Sequence, residues 1–178
     1  QGASPLVAHV SAITGSRGSG ITATQKTHHP ERNESFSAYE VLTHRHIPEI
    51  EQALRTAAAT PKPVAEVLLV PHSGSFSRGI YATIFVTIPE AARQVVSLYQ
   101  EFAEREFFIR LRSGTPRLLD VRGSNFCDIA VHQHGNQVVI ISTIDNLVKG
   151  AAGNAIQNMN IMCGLEESTG LTAAALTP

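Results

Sequence analysis

Charge is scarce in this chain. Charged residues fill 16% of 178 positions and the formal net charge is −1, so the positive balance with which a protein displaces counterions from nucleic-acid phosphates is missing. DNA and RNA are therefore not expected partners. No run of 18 or more apolar residues occurs, which argues against a membrane-spanning helix. The opening stretch, QGASPLVAHV, lacks the basic segment and cleavage pattern of a secretory leader. A soluble, cytoplasmic protein with no membrane partner is expected. Cysteine occurs only at Cys127 and Cys163. With no CxxC pair and no spaced Cys/His set, neither a disulfide framework nor a bound metal is expected. Internal repeats and low-complexity segments are absent as well.

What is present suits one well-filled core, with apolar residues at 43%. LVAHVSAI reads as a strand that runs into TGSRGSG (Thr14 to Gly20), where three glycines fall in seven residues. A flexible turn is the plainer reading of that loop, and close approach of a ligand to its backbone is the functional one. Pro30 argues that THHPERNE is a loop, and SFSAYEVL alternates as a strand should. Pro48 opens a helix with Ile50 and Leu54 on its inner face, and Pro61 and Pro63 end it. VAEVLLVP and IYATIFVTI are β-rich strands on either side of the loop HSGSFSRG. A second helix is expected from Pro89, with Val95, Val96, Tyr99 and Phe102 on the helical period.

FFIRLR is a short strand, and NFCDIAVHQHGNQVVIISTI is a hairpin turning at Gly135 and Asn136. The segment DNLVKGAAGNAIQNMNIMCGL suits a helix, yet Gly150 to Gly153 leave its first turns almost without side chains. Each glycine costs a helix about 1 kcal/mol, and close approach to another backbone or to a ligand is the usual compensation. This order of elements predicts an α+β domain, a mixed and largely antiparallel sheet with helices on one face. A second copy could cover the other face.

His44, Arg45 and His46 fall where a strand end meets a helix start, a place whose backbone N–H groups and dipole favour anions. A histidine kept nearer neutral there is available for proton transfer. Arg78 has Gly79 beside it, which leaves room for an anion at the guanidinium fork; a surface salt bridge is the other reading. His132 and His134 read as solvent-exposed strand residues. Cys127 and Cys163 read as buried, inert thiols.

HRHIPEIEQ, SRGIYATIFV, GSNFCDI and DNLVKGAAGNAIQNMNIMCGL closely resemble the C-terminal region of the N-acetyl-gamma-glutamyl-phosphate reductases of arginine biosynthesis. That family is similar in fold to aspartate-semialdehyde dehydrogenase and, more distantly, to glyceraldehyde-3-phosphate dehydrogenase. The resemblance covers essentially the whole chain in order. It implies an NADP-dependent oxidoreductase in which a cysteine thiolate displaces phosphate from an acyl phosphate and hydride then reduces the thioester to a semialdehyde. Neither the glycine fingerprint for the nucleotide nor the Gly-Cys nucleophile motif is in this chain. The resemblance thus implies a substrate-binding and dimerisation domain over residues 1–143, and a helix and tail over 144–178 that belong with an N-terminal Rossmann domain missing here. Such a fragment would be inactive alone.

By the same resemblance, His46 is the first choice for the acid–base group and His44 the second. Arg45 and Arg78 would bind the substrate's phosphate or carboxylate. TGSRGSG matches the family's Ser-Gly-x-Ser-Gly-Ala-Gly loop, which puts Ser16 and Arg17 at the substrate, Arg17 standing where a small hydroxyl residue is usual. Asn146 would face the nicotinamide, with Gly150 and Gly153 letting the helix approach NADP. A homodimer or homotetramer through the sheet is implied. HHPERNE departs from the family's commoner His-Phe-Pro pattern and resembles reductases that take an acyl phosphate from an amino-group carrier protein in lysine biosynthesis. Two alternatives therefore stand beside the first reading: that carrier-bound substrate, and a non-catalytic dimerisation module.

Overall fold

The computed structural model describes residues 6–22, 24, 27–89 and 94–176. Its strands are β1 (Leu6–Thr14), β2 (Ser37–Ala38), β3 (Ala65–Ser73), β4 (Ile80–Thr87), β5 (Ile109–Leu111), β6 (Cys127–His134) and β7 (Gln137–Ile144). They form a single sheet in the order β2-β3-β1-β4-β7-β6-β5. The pairs β1/β3 and β5/β6 are parallel and the other four are antiparallel. The α-helices are α1 (His29–Arg32), α2 (Ile47–Ala57), α3 (Val95–Arg105) and α4 (Gly153–Met162). The mixed, largely antiparallel sheet with flanking helices is the architecture expected from the sequence.

Register decides what each side of the sheet carries, because side chains alternate along a strand. Val67, Leu69 and Pro71 of β3 share a side with Ala8, Val10 and Ala12 of β1. These three β3 residues are buried, and α2 packs on β3 while α3 packs on β5 and β6. On the opposite side His9 pairs with Phe85, Phe85 with Val139 and Val139 with His132. His9, Phe85 and His132 on that row are exposed, as is Val7 nearby.

Four local expectations change. THHPERNE contains a one-turn helix, α1, because a proline near a helix start lacks only an N–H that would be unpaired anyway. The expected strand over SFSAYEVL shrinks to β2; the chain then turns away with Glu40 and Leu42 at positive φ. The amides of Tyr39 and Leu42 still donate to Pro71 O and Leu69 O, so the segment follows the edge of β3 without strand geometry. Pro89 lies outside the second helix, residues 90–93 lie outside the described ones, and the helix begins at Val95. Cys163 is exposed at the end of α4, beside the exposed Met159 and Met162, whereas Cys127 is buried as expected.

The Gly135–Asn136 hairpin forms where expected, Gly135 taking a φ of 59°. The small-residue run begins as a π-helical turn, Val148–Ala152, before α4 takes over. Gly150 N donates to Asp145 O and Ala152 N to Leu147 O, both at 3.0 Å. Among the described residues no helix is long and apolar enough to cross a membrane.

Candidate functional site

Because β1 and β3 run parallel and β4 runs back beside β1, the end of β1, the end of β3 and the start of β4 meet at one end of the sheet. The glycine loop leaves β1 there and lies against the loop before β4. Gly15 N donates to Gly79 O at 3.0 Å, Ser16 N to Phe76 O at 2.8 Å and Arg17 N to Ser77 O at 2.8 Å. A Cβ on Gly15 would come within 2.7 Å of Arg78 N, so this close approach requires glycine. Asn146 fastens the loop from the far end of the sequence: its Oδ1 accepts from Gly79 N at 2.7 Å and its Nδ2 donates to Arg17 O. Ser16, Arg17, Gly18, Gly20, Thr27, Ser77 and Leu147 line an open cleft of about 720 Å³. Ser16, Arg17 and Asn146 are thus brought together.

Arg78 turns its guanidinium to Asp145, Nη2 to Oδ2 at 2.9 Å. Asp145 is fully buried and also accepts from Gly123 N at 2.6 Å, Leu147 N at 2.8 Å and Val148 N at 2.9 Å, closing the start of the π-helical turn. Burial pushes its carboxyl up, but the three backbone hydrogen bonds and the Arg78 contact outweigh this and hold it below the usual range. Of the two readings of Arg78, the structure shows an ion pair, made by a part-buried guanidinium to a fully buried carboxylate. Asp145 is not among the residues expected at the site from the sequence; its place directly before Asn146, at a helix start, is the available signal.

The two histidines stand beside Tyr39. The Tyr39 and His44 rings are 5.9 Å apart and the His44 and His46 rings 4.7 Å. His46 N donates to His44 Nδ1 at 3.2 Å, so a neutral His44 carries its proton on Nε2, which lies 3.7 Å from a Glu40 carboxylate oxygen. His46 and Arg45 are exposed at the start of α2. Among the described contacts neither touches the cleft. What lies between is Arg32, 7% exposed, which donates to Thr14 O at 3.1 Å and to Ser19 Oγ at 3.3 Å and whose charge acts on Tyr39.

The small-residue run divides in two. Gly150, Ala151 and Ala152 are exposed, whereas Gly153 is buried against the side chains of Asn125 and Val148. Asn125 Nδ2 donates to Gln157 Oε1 at 3.1 Å, Asn160 Nδ2 to Thr169 O at 3.0 Å, and Leu176 N to Arg122 O at 2.7 Å, so the terminal segment folds back on the loop before β6. Ile156, Met159 and Met162 of α4 stay exposed. Cys127 Sγ lies 3.4 Å from Ser142 Oγ, and burial pushes its thiol up, as befits an inert side chain.

A mixed sheet flanked by helices, with a glycine loop at its strand ends, places the chain in the class of α+β domains seen in semialdehyde dehydrogenases. Solved structures agree on the fold. Aspartate semialdehyde dehydrogenase II of Vibrio cholerae in complex with ASA superposes with a TM-score of 0.66 at 14% identity, over 89% of this chain and 55% of that one. A probable aspartate-semialdehyde dehydrogenase from Pseudomonas aeruginosa gives 0.68 at 12% identity, over 88% and 55%. Residues 3–146 match the family described as semialdehyde dehydrogenase, dimerisation domain, and the chain belongs to that family. It is 42% identical to an N-acetyl-gamma-glutamyl-phosphate reductase of Methanoregula boonei over 93% of its length, and 43% identical to one of Methanocaldococcus jannaschii over 93%. It spans 49% and 48% of those relatives, about half their length.

Proposed function

We propose that this chain is the substrate-binding and dimerisation part of an NADPH-dependent reductase that converts N-acetyl-glutamyl 5-phosphate to N-acetyl-glutamate 5-semialdehyde in arginine biosynthesis. The observation that carries the reading is the cleft walled by the Asn146-fastened glycine loop, in a chain 42% identical to a reductase of that name. In this reading the thiolate comes from a cysteine outside this chain, and phosphate leaves as the thioester forms. His46 gives and takes the proton at the reacting oxygen, with His44 accepting its backbone N–H and orienting it. Ser16 and Arg17 line the cleft and would hold the phosphate or carboxylate there, Arg45 would meet the ligand from the start of α2, and Arg78, already paired with Asp145, would support the site from behind.

The residues next to Asn146 fit a dinucleotide. Gly150, Ala151 and Ala152 expose backbone with almost no side chain over it, so a flat ring can approach closely. Asn146 and Gly150 would hold NADP there, and Gly153 supports that turn from the buried side. NADPH, when bound, supplies the hydride. The exposed residues of α4 would lie against the Rossmann domain, and the row of Phe85, Val139, His9 and His132 would be covered by a second copy in a homodimer or homotetramer.

The test is phosphate-dependent NADP reduction with N-acetylglutamate semialdehyde by the full-length protein, followed by His46→Ala. Turnover that drops by about 10²-fold or more in the variant is expected; no turnover in the wild type, or an unaffected variant, counts against the reading. The second substrate reading rests on the resemblance of HHPERNE to carrier-dependent reductases; Arg32, buried as it is, makes no basic patch for an acidic carrier. A carrier-bound acyl phosphate reduced faster than the free one would select it.

A further inference from the structure

Arg32 is a buried cation that meets no counter-charge among the described residues. Among the described residues no carboxylate lies within ion-pair distance, its donors meet only the neutral oxygens of Thr14 and Ser19, and its buried Nε meets no acceptor. Tyr39 does not cancel the charge, since burial raises its pKa and keeps the phenol neutral at pH 7. Other arginines at the sheet are compensated: Arg110 and Arg112 share the fully buried Asp128, and Arg78 has Asp145. An unpaired buried charge is costly and calls for an anion to balance it.

The cleft is where that anion fits. Its lining holds Arg17 and the hydroxyl residues Ser16, Thr27 and Ser77, and no carboxylate. Ser19 Oγ, which accepts from Arg32, donates in turn to Ser16 O at 3.1 Å, so Arg32 stands two hydrogen bonds behind Ser16 in the cleft wall. We propose that Arg32 is a positioning residue for a phosphate-bearing ligand: its guanidinium clamps both ends of the glycine loop, at Thr14 and Ser19, and its charge is balanced by the phosphate in the cleft. The phosphate class rests on the reductase reading given above.

The test uses the full-length protein with inorganic phosphate as probe, binding followed by calorimetric titration and turnover by phosphate-dependent NADP reduction. Arg32→Met is expected to weaken phosphate binding about tenfold, through loss of a nearby positive charge and of its hold on Thr14 and Ser19, with the KM values for nucleotide and semialdehyde within about twofold of wild type. Arg32→Lys, which keeps the charge, should recover most of the affinity. A folded Arg32→Met protein with wild-type phosphate affinity overturns the proposal. So does an equal loss in all three constants, which marks a scaffold role only. Where Arg32→Met does not fold, Ser19→Ala removes one clamp at an exposed position, and unchanged phosphate affinity in that variant overturns the proposal too. A wild-type protein that binds phosphate in an Arg32-dependent way but reduces no NADP leaves the proposal standing and sinks the reductase reading.

Discussion

Replacing Gly153 by alanine adds a single methyl group at the most crowded point of the terminal segment. A Cβ there would overlap the Asn125 amide oxygen and approach Val148 O and Cγ1 to 2.8 Å. Asn125 is 1% exposed and hydrogen-bonded to Gln157, and Val148 belongs to the π-helical turn, so neither gives way cheaply. Overpacking of this kind costs about 1–3 kcal/mol, and the gain of alanine over glycine in a helix returns at most ~1 kcal/mol of it. The net expectation is a loss of roughly 1–2 kcal/mol, or a Tm lower by roughly 2–8 °C for a chain of this size. Gly150→Ala is the control, because its Cβ would make ordinary 3.6 Å contacts with Asp145 O and Ile144 Cδ1. Thermal and urea unfolding of both variants, with activity of the full-length protein, separate the effects. Gly150→Ala should keep stability within about 1 kcal/mol while raising the KM for NADP; Gly153→Ala should lose stability first. If Gly153→Ala is as stable as wild type, the packing argument fails.

Other predictions concern charge, thiols and assembly. Asp145→Asn should destabilise the protein by about 3–5 kcal/mol at neutral pH, since it removes a fully buried carboxylate that holds the part-buried Arg78 and three backbone N–H groups. The Asp145 pKa is depressed in the fold, so its contribution is complete above the unfolded carboxylate value of about 4 and disappears as pH falls through the lower folded value. Urea titrations should therefore show the gap between wild type and Asp145→Asn closing only in acid; a gap independent of pH would refute this. Of the two thiols in this 178-residue chain, Cys163 should react with a thiol reagent in the folded state and Cys127 only once the chain is unfolded; rapid native labelling of Cys127, read by peptide mass spectrometry, would contradict the buried site. Phe85→Glu, in the exposed row of the sheet, should give a smaller species in sedimentation than the wild type at equal concentration, with the fold intact by circular dichroism.

Elements that depend on neighbours in sequence are legible in it. The β6/β7 hairpin follows from Gly135 and Asn136 between alternating runs, and β1, β3 and β4 follow from their β-branched content. The glycine loop is legible as a site of close approach. Contacts between distant residues are not: Arg78 and Asp145 lie far apart in sequence, and no local pattern says which way the guanidinium turns. The edge segment after β2 is set by hydrogen bonds to β3, which hold Glu40 and Leu42 at positive φ against their own preference. Arg32 sits in a polar, proline-containing stretch that reads as surface, and only the folding of the glycine loop over it makes it a buried charge.

The borders of the sheet bear on how copies of this protein can meet. One border ends in the two-residue β2 and the other in the three-residue β5. Along the outer side of β3, Val67 N is taken by the Glu51 carboxylate, and Leu69 O and Pro71 O accept from Leu42 and Tyr39. A strand arriving beside β3 from another molecule finds no long row of vacant amides to zip onto, so ribbon-like growth has no template at that border. The broad side of the sheet, with its exposed His9, Phe85 and His132, is the surface that stays open to contact.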